Sequence, residues 1–111
     1  MAKYEKTIIG QFEKVVNQLQ SDISNSGISM NLVDESNYSI GDTKIAVRVY
    51  DKYFMRNGNR ASLSLTVVGS NSNIYISAIG AGGGSGVFLN FSLGAETEMV
   101  SIVQNSIERM E

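Results

Sequence analysis

The middle of the chain, residues 43–79, consists of three segments in which polar and apolar side chains alternate. A period of two places successive side chains on opposite faces of an extended strand, so this pattern predicts three consecutive β-strands. Turn-forming residues separate the segments, and such short connections favour antiparallel neighbours. The apolar positions predicted to face the core are Ile45, Val47 and Val49 in the first segment, Leu63, Leu65 and Val67 in the second, and Ile74, Ile76 and Ala78 in the third.

The register of the first hairpin follows from these positions, because directly opposed residues in a sheet point to the same face. The apolar positions of the first two segments are all odd-numbered, so we expect odd residues to pair with odd ones. A three-residue loop of Asn57, Gly58 and Asn59 gives this pairing, with Gly58 or Asn59 in the left-handed region. A two-residue loop would instead bury Ser and Thr. The next turn, residues 70–73, has an even length and matches odd positions with even ones.

Two segments with helical periodicity flank the strands. Apolar residues at spacings of three and four predict a first helix of about four turns, which ends near Gly27, and a second helix after Gly94. Glu96 and Glu98 lie near the positive N-terminal end of the second helix, where carboxylates are favoured. The apolar stripes are Phe12, Val15, Val16, Leu19 and Ile23 in the first helix and Met99, Val103, Ile107 and Met110 in the second.

Shorter patterns complete the predicted fold. Residues 4–9, 28–32 and 87–92 predict three further short strands, whereas residues 34–37 are a polar stretch and residues 40–42 a turn. Together the segments predict a two-layer α+β fold, in which an antiparallel meander sheet of five or six strands carries two helices on one face. The predicted order is β-α-β-β-β-β-β-α, and we expect residues 1–111 to form a single domain.

The chain contains no His and no Cys. This removes the commonest general base, the thiol nucleophile and the soft metal ligands, so we expect no enzymatic activity, no cofactor and no metal. Asp34, Glu35 and Asp42 lie close together in sequence but lack the spacing of an EF-hand, and we expect solvated charges there. No apolar run resembles a signal peptide or approaches membrane-spanning length, which predicts a cytoplasmic protein without a membrane partner.

Basic residues are concentrated in the first hairpin, residues 44–60, at intervals of four. On a strand, Lys44, Arg48 and Lys52 share one face, predicted to lie opposite the core, with aromatic rings between them. Such a face suits an anionic ligand or single-stranded nucleic acid. The net charge of −2 favours a solvated outer face instead and argues against nucleic acid. The candidate binding face is Lys44, Arg48, Tyr50, Lys52, Phe54, Ser64 and Thr66.

Asp51 interrupts the apolar parity of the first alternating segment. This predicts that the strand ends or forms a bulge at Asp51. A carboxylate that faced the core there would need a hydroxyl or a helix cation as its partner. If the chain were an enzyme, Arg48, Tyr50, Asp51 and Lys52 would be the first residues to test by mutation.

Residues 80–86 form a glycine-rich tract. The tract lacks the dinucleotide-binding spacing and the lysine of a phosphate loop, and a strand rather than a helix is predicted after it, so we expect no nucleotide site. Its composition predicts a flexible connection or a mobile lid over a cleft. The candidate mobile loop consists of Gly80, Gly82, Gly83, Gly84 and Gly86.

Several turns and strand patches together carry a family resemblance. They are Ile40-Gly41-Asp42, the run from Val47 to Tyr53, Gly58-Asn59-Arg60, and Gly83-Gly84-Ser85 before Val87-Phe88. On these patches the chain resembles a family of small uncharacterised bacterial proteins, a domain of unknown function of about this length. The resemblance implies a bacterial, intracellular, single-domain protein and supplies no activity and no site residues. The layout is also similar to the TATA-binding-protein-like arrangement, which helix-grip lipid carriers elaborate.

These observations favour a non-enzymatic binding or interaction module that forms a homo-oligomer. One alternative is a carrier of a small apolar or anionic ligand, with a pocket between the sheet and the C-terminal helix near Met99 and Val103. Another alternative is nucleic-acid or anion binding through the basic hairpin, residues 44–60. The missing catalytic residue types make an enzyme the least expected class.

Overall fold

The computed structural model describes residues 2–54, 58–82 and 90–111. The elements in chain order are β1 (Ala2–Ile9), α1 (Phe12–Ser24), β2 (Asn31–Ile40), β3 (Thr43–Phe54), β4 (Asn59–Ser70), β5 (Asn73–Gly82) and α2 (Asn90–Met110). The strands form one antiparallel sheet in the order β1-β5-β4-β3-β2, and both helices pack on the same face. The predicted α+β class is therefore confirmed, with five strands in the described part of the chain.

Both helices bury most of the stripes that their periodicity predicted, and Phe12 and Met110 at the outer ends are partly buried. Gly27 lies just beyond α1 with a φ of +86°, a conformation that a residue without a Cβ adopts at little cost. Burial of each large aliphatic side chain stabilises the fold by about 1.5–3 kcal/mol, so these stripes hold the helices on the sheet. The buried positions are Val15, Val16, Leu19 and Ile23 in α1 and Met99, Val100, Val103 and Ile107 in α2.

The core lies between the helices and the middle of the sheet. α2 packs on β4, β5 and β1, and α1 packs on α2 and β4. Gly80 and Gly69 set the spacing of the two layers. A Cβ at Gly80 would lie 2.8 Å from the carbonyl oxygen of Glu96, and one at Gly69 would lie 2.7 Å from Cδ1 of Phe12. The sheet residues in this core are Leu63, Leu65 and Val67 of β4 and Ile74, Ile76 and Ala78 of β5.

The bounds of β2 and of the C-terminal helix differ from the prediction. β2 spans Asn31–Ile40 rather than residues 28–32, so Asp34 and Glu35 belong to a strand and not to a loop. Every residue of β2 is exposed, and the polar run from Asp34 to Asn37 leaves only a short alternation at its C-terminal end. The predicted sixth strand is wrong at residues 90–92, which form the first turn of α2, while residues 87–89 lie outside the described residues. Alternation over so few positions does not distinguish a strand from a helix.

The register between β3 and β4 also differs from the prediction. Odd residues pair with even ones, so that Arg48 lies opposite Leu65, and the last pair joins Phe54 to Asn59. The predicted three-residue loop with odd–odd pairing is therefore wrong, although Gly58 does adopt a positive φ of +69°. As a result, Ala46, Arg48 and Tyr50 are buried on the helix side of β3. Ile45, Val47 and Val49 point away from the helices and are half-buried.

The position of β3 in the sheet explains this reversal. The helices cover β1, β5 and β4, so β3 lies at the margin of their cover. Long charged side chains can pack their aliphatic stems at such a margin while their head groups reach polar partners beyond it. The helix side of β3 can therefore carry Lys44, Arg48 and Lys52 instead of aliphatic residues.

Of the other local predictions, those of two turns are confirmed and the one at Asp51 is wrong. The turns at Gly41 and Asn71 are confirmed, each with a φ of +57°. Asp51 pairs with Ser62 within a continuous β3, so the predicted strand end or bulge at Asp51 is wrong, and the irregularity lies in β2 between Leu32 and Asp34.

In the described ranges, neither helix combines the length and the apolar character needed to cross a bilayer.

Candidate functional site

The face of the sheet that points away from both helices is called the open face here. The register fixes its members, because paired residues share a face. These are Lys3, Glu5, Thr7 and Ile9 of β1; Asn31, Asp34, Ser36, Tyr38 and Ile40 of β2; Thr43, Ile45, Val47, Val49, Asp51 and Tyr53 of β3; Arg60, Ser62, Ser64, Thr66, Val68 and Ser70 of β4; and Asn73, Tyr75, Ser77, Ile79 and Ala81 of β5.

Apolar and aromatic side chains form a row across the open face. Tyr38, Ile45, Val68 and Tyr75 are successive partners on β2, β3, β4 and β5, and Thr7 of β1 completes the row. Tyr38 is 63% exposed and Tyr75 is 36% exposed. Cross-strand neighbours of this kind touch one another and form a continuous surface rather than isolated apolar spots.

Large apolar side chains extend this surface at one end of the sheet. Ile40 is 61% exposed and Ile9 is 74% exposed, and the pairing places them at the two ends of the next row, on the two edge strands. On the other side of the central row, Val49 and Ile79 lie on β3 and β5. The open face thus carries aliphatic, aromatic and hydroxyl groups over most of its area.

Charged groups on the open face lie near its margins, and four of the five that the structure describes there, Lys3, Glu5, Asp51 and Arg60, form ion pairs. Asp51 Oδ2 lies 3.3 Å from Nη1 of Arg60 near one end, and Lys3 Nζ lies 3.4 Å from Oε1 of Glu5 on the edge strand β1. The Tyr75 hydroxyl donates a hydrogen bond to the Glu5 carboxylate. This bond holds the pKa of Glu5 below its usual range, aided by Lys3, and raises the pKa of Tyr75. Among the described residues, the row through Ile45 carries no charge.

Arg48 lies on the opposite side of the sheet from the open face and is 6% exposed. Its Nε lies 3.3 Å from Oε1 of Gln20 on α1 and 3.3 Å from Oε1 of Glu35 on β2. Its Nη1 donates to the carbonyl oxygens of Val47 at 3.0 Å and Ser36 at 3.4 Å. The guanidinium therefore links α1, β2 and β3 and is already surrounded by acceptors.

The other members of the predicted binding face are also divided between the two sides. Lys44 Nζ pairs with Oε2 of Glu13 on α1 at 2.6 Å, and this hydrogen bond lowers the pKa of the Glu13 carboxyl. Tyr50 is buried on the helix side, and burial raises the pKa of its phenol. Lys52 is half-buried on the same side. The prediction that these residues form an outer face is wrong, for the reason given by the register of β3.

Ser64 and Thr66 do lie on the open face, but they share it with Ile45, Val47 and Val49 and not with Lys44, Arg48 and Lys52. The side chain of Phe54 lies outside the described residues. The contribution of Tyr38, Ile40 and Tyr75 to this face was not predicted from the sequence. The alternation of Tyr38 and Ile40 with Asn37 and Ser39 was an available signal, and it was lost inside a stretch interpreted as loop and turn.

The residues selected as catalytic candidates do not converge. Asp51 points to the open face, whereas Arg48 and Tyr50 are buried beneath the helix layer. In the described part of the chain, no three His, Cys, Asp or Glu residues are grouped so as to hold a metal ion.

Part of the predicted mobile loop is a strand. Gly80 and Gly82 belong to β5, where they pair with Leu63 and Ala61 of β4. The prediction of a loop is wrong for these two residues, because the sheet satisfies their backbone and Gly80 packs against α2. Gly83, Gly84 and Gly86 lie outside the described residues.

Three surface clefts lined by described residues lie on the helix side and at its rim. Two of them, of about 440 and 480 Å³, share Phe12, Glu13 and Lys44 in their walls. A third, of about 260 Å³, lies between the helices and includes Asp22 and Arg109. None of these three clefts is lined by Met99 or Val103, both of which are fully buried. They give no support to a ligand pocket between α2 and the sheet.

The sequence matches a family of unknown function, DUF6054, over residues 1–111. The chain belongs to this family. The predicted resemblance to a domain of unknown function is thereby confirmed. Among solved structures, the crystal structure of TTHA0849 from Thermus thermophilus is 10% identical with a TM-score of 0.35, covering 97% of this chain and 91% of that one. A comparison with curated proteins gives no match.

Proposed function

We propose that this chain is a non-enzymatic interaction module that binds a protein partner through the open face. The observation that carries the proposal is the orientation of β3. Its aliphatic side, with Ile45, Val47 and Val49, faces away from the helices, while its basic side faces them. Strands normally turn their more apolar side toward a buried interface, so this orientation favours a second interface on the open face.

The chemistry of the open face suits another flat protein surface. Aliphatic and aromatic groups there supply area to be removed from water, worth about 25 cal/mol per Å². Hydroxyl groups such as Ser64, Thr66 and Ser77 lie between them and can form hydrogen bonds at an interface. Contiguous apolar patches of this kind are characteristic of interaction sites.

The size of the open face is also suitable for an interface with another protein. Five strands at a spacing of about 4.8 Å and the 8 residues of the shortest strand, β1, at about 3.3 Å give a footprint of roughly 24 by 26 Å. This is on the order of 600 Å², within the range of roughly 600–1,000 Å² per partner that a standard stable interface buries. One partner of similar width could therefore cover the face.

The alternatives receive less support from the same geometry. Nucleic-acid binding requires a basic surface with accessible phosphate contacts. Lys44 is paired with Glu13, and Arg48 is buried among acceptors, so the basic series does not form such a surface. The division of Asp51, Arg48 and Tyr50 between two faces argues against a catalytic centre in the hairpin.

Photo-crosslinking inside living cells tests the proposal. A benzophenone amino acid replaces Tyr38 on the open face or, as a matched control, Asn17 on the exposed side of α1. We expect position 38 to give a protein adduct of discrete mass that Val47→Lys in the same chain removes and Val47→Thr retains. Position 17 should give none. The absence of a protein adduct at position 38, or an adduct that Val47→Lys leaves unchanged, would overturn the proposal.

A further inference from the structure

We infer that the partner is a second copy of this chain, stacked face to face about a two-fold axis that runs along β4. This inference rests on the proposed function and adds the identity and orientation of the partner. β4 is the middle strand of the five. Rotation about it places β3 of one copy over β5 of the other and β2 over β1, and each cross-strand row meets the same row of the second copy.

Several apolar groups of the open face meet apolar groups under this rotation, while Val47 falls opposite Ser77 and Tyr38 opposite Thr7. Ile40 on β2 falls opposite Ile9 of the second copy, because the two residues end the same row on opposite edges. In the same way, Ile45 falls opposite Tyr75. Val68 lies on the axis and meets its own copy. Sheets that pack face to face lie about 10 Å apart with strands aligned to within roughly 30°, which permits these contacts.

Val49 and Ile79 make a further apolar pair in the row that begins at Asp34 and ends at Lys3. The same row places Asp34 of one copy opposite Lys3 of the other. The rotation therefore forms two opposite-charge pairs at the rim, where long side chains span the offset produced by the sheet twist. The pairing of Asp34 with Lys3 makes the surface self-complementary at this row, as a two-fold dimer interface must be, while Glu5 and Asp51 fall opposite Ser36 and Ala81.

A two-fold axis perpendicular to the strands, along the row of Ser36, does not give this complementarity. It would place each strand over the same strand of the second copy, running in the opposite direction, so that the order of the rows is reversed. Tyr38 would then lie over Asp34, and the row of Ile40 and Ile9 would lie over the row of Asp51. Apolar groups would cover charges, which loses burial and desolvates carboxylates. The orientation along β4 is the one that the residue pattern favours.

Sedimentation equilibrium from low micromolar to high chain concentration provides the first test. The unmodified chain should reach twice its mass of 12.0 kDa. Val68→Lys places two ammonium groups against each other at the axis and should give a monomer, whereas Val68→Thr should remain a dimer. In the monomer, a lysine at position 68 extends into solvent, so an unchanged circular dichroism spectrum is expected. A chain that stays monomeric, or a dimer that Val68→Lys leaves intact, overturns the inference.

A charge exchange tests the orientation. Asp34→Lys and Lys3→Asp should each weaken dimerisation several-fold, because each brings like charges together at both rims. The double variant restores opposite charges and should recover the original dissociation constant to within about twofold. Purely local effects on folding would not be corrected by the second substitution, so additive losses would exclude this axis.

Crosslinking separates stacked faces from paired edges. The chain has no Cys, so Thr66→Cys introduces the only thiol. In the stacked dimer the two thiols lie near the axis, and a short bis-maleimide should join them. If the two β2 edges paired instead, five strand spacings of roughly 4.8 Å would hold these thiols about 24 Å apart, and no crosslink would form.

Different experimental results overturn the proposed interaction module and the inference that its partner is a second copy. A monomeric chain whose position 38 crosslinks to a different protein overturns the second-copy inference and leaves the proposed interaction module standing. A dimer that persists in Val68→Lys, with no adduct at position 38, overturns both.

Discussion

At the scale of single residues, Arg48 shows how this chain buries a charge. A guanidinium with 6% exposure costs free energy unless its donors are satisfied. Nε donates to Gln20 and lies 3.3 Å from the Glu35 carboxylate, and Nη1 donates to two backbone carbonyls. A planar fork with several donors can reach acceptors on three elements at once, which the single ammonium of a lysine cannot do.

We therefore expect Arg48→Ala to lower the free energy of unfolding by about 2–4 kcal/mol, because it removes packing and leaves Gln20 and Glu35 beside a void. Arg48→Lys should retain only a part of the free energy of unfolding that Arg48→Ala loses. Urea denaturation monitored by circular dichroism measures both. Lys44→Ala is the matched control, and its loss should be much smaller because the Lys44–Glu13 pair is exposed. Equal losses at positions 44 and 48 would contradict the assigned burial.

At the scale of elements, a polar cluster fastens the two helices to each other. The Ser106 hydroxyl, which is fully buried on α2, donates to Oδ2 of Asp22 on α1. Gln18 Nε2 donates to Oδ1 of the same carboxylate at 2.9 Å, and Nη2 of Arg109 lies 3.3 Å from Oδ2. The hydrogen bond from Ser106, followed by those from Gln18 and Arg109, outweighs desolvation and holds the pKa of Asp22 below its usual range.

This pKa shift predicts a dependence of stability on pH. A carboxylate with a lower pKa in the folded state stabilises the fold above its unfolded pKa of about 3.9, and the contribution disappears as the pH falls through the folded value. Ser106→Ala should therefore cost about 1–2 kcal/mol at pH 7 and progressively less below pH 4. Denaturation at a series of pH values measures the difference. Ser101→Ala on the same helix is the control. If the loss of free energy of unfolding in Ser106→Ala were independent of pH, the role of Asp22 would be contradicted.

The helices and strands also show which parts of the fold the sequence patterns predicted correctly. The stripes of α1 and α2 were predicted correctly, because a period of 3.6 residues leaves one face that can enter the core. A strand has two faces, and β3 carries aliphatic groups on one and long amphipathic groups on the other. Its alternation predicted a strand correctly but assigned Val47 to the core and Arg48 to solvent. Only the placement of the helices over β4, β5 and β1 makes the opposite assignment favourable.

At the scale of the whole molecule, a face-to-face dimer should make thermal stability depend on concentration. Association of folded chains stabilises them by mass action, whereas unfolded chains do not associate in this way. For two chains of this length, a tenfold increase in concentration should raise the melting temperature by about 3 °C. Calorimetry at several concentrations measures the shift. Val68→Lys should remove the dependence and Val68→Thr should keep it, and a constant melting temperature for the unmodified chain would count against the dimer.

Local chemistry specified much of this fold in advance. The two apolar helical stripes, the strands around Leu65 and Ile76, and the turns at Gly41 and Asn71 follow from interactions within a few neighbouring residues. The start of α2, the full length of β2 and the pairing of Arg48 with Leu65 do not. These features depend on which strands the helices cover, a contact between segments distant along the chain. The same long-range packing leaves Val47 on the open face, and with it the surface that we propose binds a second copy.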